Sequence, residues 1–427
     1  MKEMNLDLRI SKLGENNFTS PLTRFNFVSD DERILFDDEA VEIKAYLQAG
    51  IEPPEFEAAG PREKIYFDHS KLNCAIVTCG GLSPGINDVI RAIVMNLHYH
   101  YRVTNIFGFQ YGYEGISEAD KFPPIKLTPD YVSHIHNFGG TVLGSSRGNQ
   151  DAARMVDTLV SMNIGILFTI GGDGTLRGAH SIFEEVKRRG LSISIIGIPK
   201  TIDNDISYIQ TTFGFETAVS EARRSTNTAH VEARGAKNGI GLVKLMGRDS
   251  GFIAAYTTLA DKDVNFCLIP EAPFELNTFL EALKRQIENR GHAVVVVAEG
   301  AGQHLMQSLN DKDPSGNIRY GDIGIFLKDE IKKYFKQKAI EINLKYIDPS
   351  YMIRSLAANA RDSALCLLYG QCAVDAGMAG KTDMVVGFWR NRFTHVPITI
   401  ASSSRKKIDV KGFLWQSVIG ATGQPPL

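Results

Sequence analysis

Short, mostly apolar runs recur along the chain at Cys74–Thr78, Ile164–Ile170, Ile193–Ile198, Ile240–Leu245, Asn265–Ile269, Ala293–Ala298 and Asp383–Phe388. Their length and continuous apolar character predict strands buried on both faces. Between them the spacing changes. Ile86, Val89, Ile90, Ile93, Val94 and Leu97 form one helical stripe; Leu176, Ala179, Phe183 and Val186 form another, and Leu276, Phe279, Leu280, Leu283 and Ile287 a third. Buried strands alternating with amphipathic helices predict an α/β fold of doubly wound, Rossmann-like parallel sheets. We expect two such α/β/α sandwich domains facing one cleft, preceded by an N-terminal extension.

Residues 1–72 lack this pattern. They mix charges, carry turn signals such as Glu52-Pro53-Pro54, and read as an extension that packs across the body or against a neighbouring subunit, with a disordered tail as the plainer alternative. The remainder divides into 73–214 with 358–397 as one expected domain and 215–357 with 398–427 as the other.

Polar, glycine-rich segments follow the apolar runs: CGGLSPG, GGDGT, PKTIDND, MGRDSG, IPE and AEGAG. Ligands of doubly wound sheets bind beyond the carboxyl ends of the strands, so these segments predict a catalytic cleft. Gly80, Gly81 and Gly85 sit between a strand and a helix start, where backbone N–H groups can meet phosphate oxygens. In Gly171-Gly172-Asp173-Gly174-Thr175 the carboxylate either holds Mg²⁺ through water or caps the next helix. No GKS or GKT follows, so this is not a Walker A loop. In Pro199-Lys200-Thr201-Ile202-Asp203-Asn204-Asp205 one carboxylate can take a proton from an attacking hydroxyl and the other can help hold a metal. An Asx-turn cluster ending a strand is the plainer reading of the same residues. Arg248, in Met246-Gly247-Arg248-Asp249-Ser250-Gly251, can reach a phosphoryl oxygen or pair with a local carboxylate.

Composition narrows the class. The chain has 427 residues, 43% hydrophobic and 22% charged, as expected of a globular protein with ample core. A net charge of −2 gives no global field toward nucleic acid or anionic membrane, so an anionic ligand needs a locally assembled site. The five cysteines form no CxxC pair and read as reduced residues of a cytoplasmic protein. Neither a signal peptide nor a membrane-spanning run is expected.

Taken in order, TCGGLSPGIN, GGTVLGSSRG, TIGGDGT, PKTIDND, LVKLMGRDSGF, LIPEAPF and DPSYMIR resemble the phosphofructokinase family over roughly residues 74–390. The form of the motifs is most similar to the plant and trypanosomatid ATP-dependent branch of the pyrophosphate-dependent group. The resemblance implies transfer of the γ-phosphoryl group of ATP to the 1-hydroxyl of fructose 6-phosphate, a step of glycolysis, with Mg²⁺ as cofactor. It implies Asp203 as general base, with Thr201 and Arg248 stabilising the phosphoryl group. Asp173 and Asp205 would organise Mg²⁺. Gly80, Gly81, Tyr113, Arg147, Gly172, Asp173, Gly174 and Thr175 would bind ATP, with Tyr113 against the adenine. Thr201, Asp203, Met246, Gly247, Arg248, Glu271, Tyr351 and Arg354 would bind the sugar phosphate.

Donor choice would rest on Gly174 and Lys200. Glycine at 174 leaves room for the inner phosphate of ATP, whereas Lys200 is the residue of pyrophosphate users. A clash excludes a ligand and a flexible lysine can swing aside, so ATP is the expected donor and pyrophosphate the alternative. An allosteric homo-oligomer, tetramer or dimer, is implied as well, with Arg234 a candidate cross-subunit residue. DPSYMIRSLAANARD stands where compact bacterial members carry a GHIQRGG-like segment. A lipid or NAD kinase would share GGDG but not TIDND or MGRDSG. A catalytically silent sensor would not need Asp203, since binding needs no base.

Overall fold

A computed structural model describes residues 6–23, 25–306 and 320–427. Two units emerge among them. The first holds the chain up to Thr201, Ile206–Phe213 and Ala357–Ser404; the second holds Ile202–Asp205, Gly214–Leu356 and Arg405–Leu427.

The described residues of the first unit build a nine-stranded sheet. Its centre is parallel, in the order Met384–Trp389, Ser194–Pro199, Ile164–Gly171, Asn73–Thr78, Asn105–Phe109. Successive side chains of a strand face opposite ways, and both faces here are apolar. Cys74, Ile76, Ile166, Phe168, Ile170, Ile196 and Ile198 pack into a core with Ile86–Met95 and Ala360–Met378, two helices on one face. Their neighbours Ala75, Val77, Leu167 and Ile195 share a second core with Met155, Leu159, Leu176 and Phe183, from helices Ala152–Ser161 and Asp173–Arg188.

The extension is part of this sheet. Arg33–Leu35 and Glu55–Ala58 pair antiparallel with each other, and Glu55–Ala58 pairs antiparallel with Arg392–Pro397, itself antiparallel to Met384–Trp389. The sheet is therefore mixed at its rim, where the sequence predicts parallel strands. A buried charge cluster fastens the seam. Lys381, with no exposed surface, donates to Glu57 at 2.5 Å and Asp30 at 3.2 Å. Arg62 reaches Asp30 at 2.9 Å and Glu57 at 3.1 Å, and His395 meets Glu57 at 3.0 Å.

Residues 398–404, expected in the second domain, belong to the first unit. Arg392–Pro397 runs directly into the short helix Ile398–Ala401, whose Ile398 and Ala401 are buried in the same core as Val385.

The second unit has a parallel sheet in the order Phe266–Leu268, His292–Ala298, Gly239–Leu245, Asn343–Ile347. Val243, Leu245, Val294 and Val296 pack toward Ala218, Ala222, Ile253 and Trp415. Ile240, Leu242, Val295 and Val297 pack toward Phe279, Leu283, Leu327 and Ile331. No helix of the described residues is long and apolar enough to cross a membrane.

Candidate active site

In the first unit the glycine-rich segments stack against one another at the sheet's carboxyl edge. Gly80 has φ +83°, and its N–H donates to Ser146 O at 3.1 Å while Ser145 Oγ donates to Gly80 O at 2.7 Å. Gly85, at φ +94°, caps the helix Ile86–Met95; a Cβ there would lie 2.5 Å from Cys366 Sγ, so only glycine fits. Arg147, one residue beyond Ser146, is exposed.

The strand Ile164–Gly171 delivers Gly172 as the N-cap of Asp173–Arg188. Amides at this helix start carry partial positive charge toward the loop. Asp173 accepts from Gly174 N at 2.7 Å and pairs with Arg177 at 3.1 Å. Its side chain keeps 29% exposure, leaving carboxylate surface for a hydrated cation. Thr175 is buried below the loop. Strand Ser194–Pro199 leads into Lys200, whose N–H donates to Gly171 O at 2.9 Å; Thr201 O accepts from Thr212 Oγ1 at 2.7 Å.

Two first-unit expectations change. Lys200 does not swing free: it is 5% exposed and its ammonium donates to Gly81 O at 2.6 Å, bracing the CGG turn. Tyr113 is not an open aromatic face for adenine. It is 6% exposed, its hydroxyl donates to Thr175 O at 2.7 Å, and its ring fills the space above Gly178. Tyr111, in the same YGY segment, is the exposed one; it lies beside Gly144 and edge-on to Phe122.

Residues 202–205, expected in the first domain, belong to the second unit, as do the acidic residues of MGRDSG and AEGAG. Ile202 is buried in the core, and Asn204 adopts φ +53°, a left-handed conformation that asparagine tolerates better than most residues. This explains the Asn between two aspartates: Asp203 and Asp205 flank a reversal held by an anchored isoleucine. Burial pushes the Asp203 carboxyl well above its ordinary range. The negative charges of Asp205, Glu299 and Asp249 add to the rise, and Arg405 opposes it.

The MGRDSG turn packs on AEGAG. Gly247, at φ +125°, accepts at its carbonyl from Gly300 N at 3.1 Å, and a Cβ on Gly300 would lie 1.8 Å from Arg248 O. Met246 packs partly buried on the core beneath. The Arg248 guanidinium lies 4.7 Å from the Tyr320 ring centroid, and Tyr320 donates to Asp249 Oδ1 at 3.2 Å. In the turn Met352–Arg354, Ile353 is buried while Tyr351 is exposed, and the Arg354 guanidinium covers the Tyr351 ring at 4.9 Å.

Glu271 takes a different place from the expected sugar contact. Its carboxylate accepts from Gly251 N at 3.0 Å and from Ile408 N at 3.0 Å, so it ties loops together. Glu299 of AEGAG lies within electrostatic reach of Arg248, Lys244 and Arg354. Burial pushes its carboxyl up, against the charges of Arg248, Lys244 and Arg354. Both glutamates follow an apolar strand, and only the folded chain shows which faces arginines.

Residues 73–377 match the phosphofructokinase family model. The chain belongs to the phosphofructokinase family. Among curated relatives of this phosphofructokinase-family chain is the ATP-dependent 6-phosphofructokinase of Borreliella burgdorferi, 49% identical, with 100% of this chain and 98% of the relative covered. The enzyme of that name from Trypanosoma cruzi is 41% identical over 96% of this chain and 87% of its own length. A solved pyrophosphate-dependent phosphofructokinase from Marinobacter aquaeolei shares the fold at TM-score 0.68 and 19% identity, covering 83% of this chain and 93% of that one.

Proposed function

We propose that this phosphofructokinase-family chain is an ATP-dependent 6-phosphofructokinase, converting fructose 6-phosphate and ATP to fructose 1,6-bisphosphate and ADP. The observation that carries the reading is full-length identity of 49% to a relative bearing that name. Gly174 supports the donor: a Cβ there would meet nothing nearer than Arg177 Nη2 at 3.8 Å, so the loop is open above it.

The first unit takes the nucleotide. Backbone amides of Gly80, Gly81, Gly172, Gly174 and Thr175, with Arg147, bind its phosphates. The second unit takes the sugar phosphate through Met246, Gly247, Arg248, Tyr351 and Arg354, joined by Glu299. Asp203 accepts the 1-hydroxyl proton as the oxygen attacks the γ-phosphorus, and Thr201 and Arg248 stabilise the equatorial oxygens. Asp173 and Asp205 are hard oxygen donors suited to Mg²⁺, which when bound neutralises phosphate charge. We assign the enzyme to the cytoplasm as a homo-oligomer, tetramer or dimer.

The test is a donor comparison on the full chain with fructose 6-phosphate and Mg²⁺. Turnover with ATP and none with pyrophosphate is expected; the reverse overturns the donor assignment. Asp203→Ser lowers turnover by roughly 10²–10⁴-fold, the scale of a lost general base. Near-parental turnover in that variant removes Asp203 from its role.

A further inference from the structure

The segment Arg405–Ile408, which opens the second unit's final stretch, runs through the carboxylate cluster of that unit. The Arg405 guanidinium pairs with Asp249 Oδ2 through Nη1 and lies 3.5 Å from Asp205 Oδ2. Lys406 N–H donates to Asp205 O at 2.8 Å, and Lys406 O accepts from Ser250 Oγ. Ile408 is 5% exposed in the core, and its N–H donates to Glu271. Four consecutive residues therefore join the turns carrying Asp205, Asp249–Gly251 and Glu271.

From this geometry we infer that Arg405 is a positioning residue for phosphoryl transfer, holding the Asp205 and Asp249 carboxylates so that the turns bearing Asp203 and Arg248 keep their reactive orientation. The inference rests on the activity proposed above. Its physical basis is charge. The Asp205 and Asp249 carboxylates both lie within reach of one guanidinium, and like charges so placed drive their loops apart unless a cation sits between them. Arg405 bridges the two. A guanidinium offers five donors in a rigid fork, so it can serve two carboxylates where an ammonium acts as a point charge.

The bridge extends further. Asp249 accepts from Tyr320 at its other oxygen, and the Tyr320 ring carries the Arg248 guanidinium at 4.7 Å. Arg405 thus connects, through Asp249 and Tyr320, to the arginine that faces the phosphoryl group. A small displacement of such groups is costly to catalysis, because near-attack geometry tolerates little error.

The experiment uses the full-length enzyme with Arg405→Met, Arg405→Lys, Asp249→Asn and the Arg405→Met/Asp249→Asn double variant. It measures kcat, both KM values, thermal unfolding, and fructose 6-phosphate binding by calorimetry without nucleotide or metal. Arg405→Met is expected to unfold cooperatively, to lower kcat about 10–100-fold, and to leave KM for ATP within about twofold. Arg405→Lys recovers part of that loss. In the Asp249→Asn background the Arg405→Met loss shrinks to about threefold or less, because both changes break one bridge. Weakened binding of fructose 6-phosphate alone accompanies the kcat loss.

Parental kcat in Arg405→Met overturns the inference, as does an equal loss in both backgrounds. Should Arg405→Met fail to fold, Arg405→Lys decides: a kcat loss of about threefold or more at parental melting temperature supports the role, and parental kcat refutes it. No turnover in the unmodified enzyme sinks the proposed function and this inference with it, whereas normal turnover with an indifferent Arg405 sinks this inference alone.

Discussion

Gly174 can accept a side chain without disturbing its own protein. Its φ is not positive, the space above it is open to 3.8 Å, and an acidic residue in a first helical turn is favoured by the dipole. Gly174→Asp should therefore melt within a few degrees of the parent while raising KM for ATP at least about tenfold. Unchanged ATP kinetics would show that the glycine does not set donor size. Asp375 offers a second test. Burial pushes its carboxyl to about 7, although Tyr101 donates to it at 2.8 Å and the charge of Arg62 opposes the rise. Between roughly pH 4 and 7 the unfolded chain has released this proton and the folded chain retains it, so stability falls as pH rises through that window. Asp375→Asn keeps an acceptor for Tyr101 and cannot ionise. It should melt above the parent at pH 8 and near it at pH 4; a lower melting temperature at pH 8 would refute the account. Individual roles were the least legible part of the sequence. Glu271 and Glu299 both follow apolar strands, and Tyr111 and Tyr113 are two residues apart. Which member of each pair is tied up within its own unit, as Glu271 and Tyr113 are, depends on backbone donors and core space contributed by residues far away in the chain.

Strands and helices were the most legible. Asn73–Thr78, Ile164–Gly171, Ser194–Pro199, Gly239–Leu245 and His292–Ala298 fall where continuous apolar runs predict them, because a strand covered on both faces needs apolar residues at every position. Less legible was how the helices meet. Helix Ala360–Met378 crosses Ile86–Met95 at Gly370, where a Cβ would come within 2.5 Å of Ala92 Cβ. Gly370→Val should cost about 1–3 kcal/mol by forcing the two helices apart. Ala92→Gly in the same chain should recover part of that loss, measured by chemical denaturation; failure to recover would place the strain elsewhere.

At the scale of the molecule, the sequence hid the sheet rim. Arg33–Leu35 and Glu55–Ala58 are short and mixed in polarity, so they carry no strand period of their own; pairing to Arg392–Pro397 makes them strands. The cluster that secures them is exacting. Glu57 is buried, yet the hydrogen bond and charge of His395 and the ammonium of Lys381 hold its carboxyl down to about 2. Lys381→Met should cost about 3–5 kcal/mol by leaving that carboxylate without its ammonium, as judged by denaturant midpoint. A cost below about 1 kcal/mol would mean the pair is dispensable. The same seam constrains how the protein comes into being. Glu57 and His395 are 338 residues apart. A ribosome adding about 5–20 residues per second needs on the order of tens of seconds to bring the second after the first. Throughout that interval Glu55–Ala58 has no partner strand to its inner side and Glu57 no ammonium, so the nascent chain carries an unclosed sheet edge until synthesis is nearly finished.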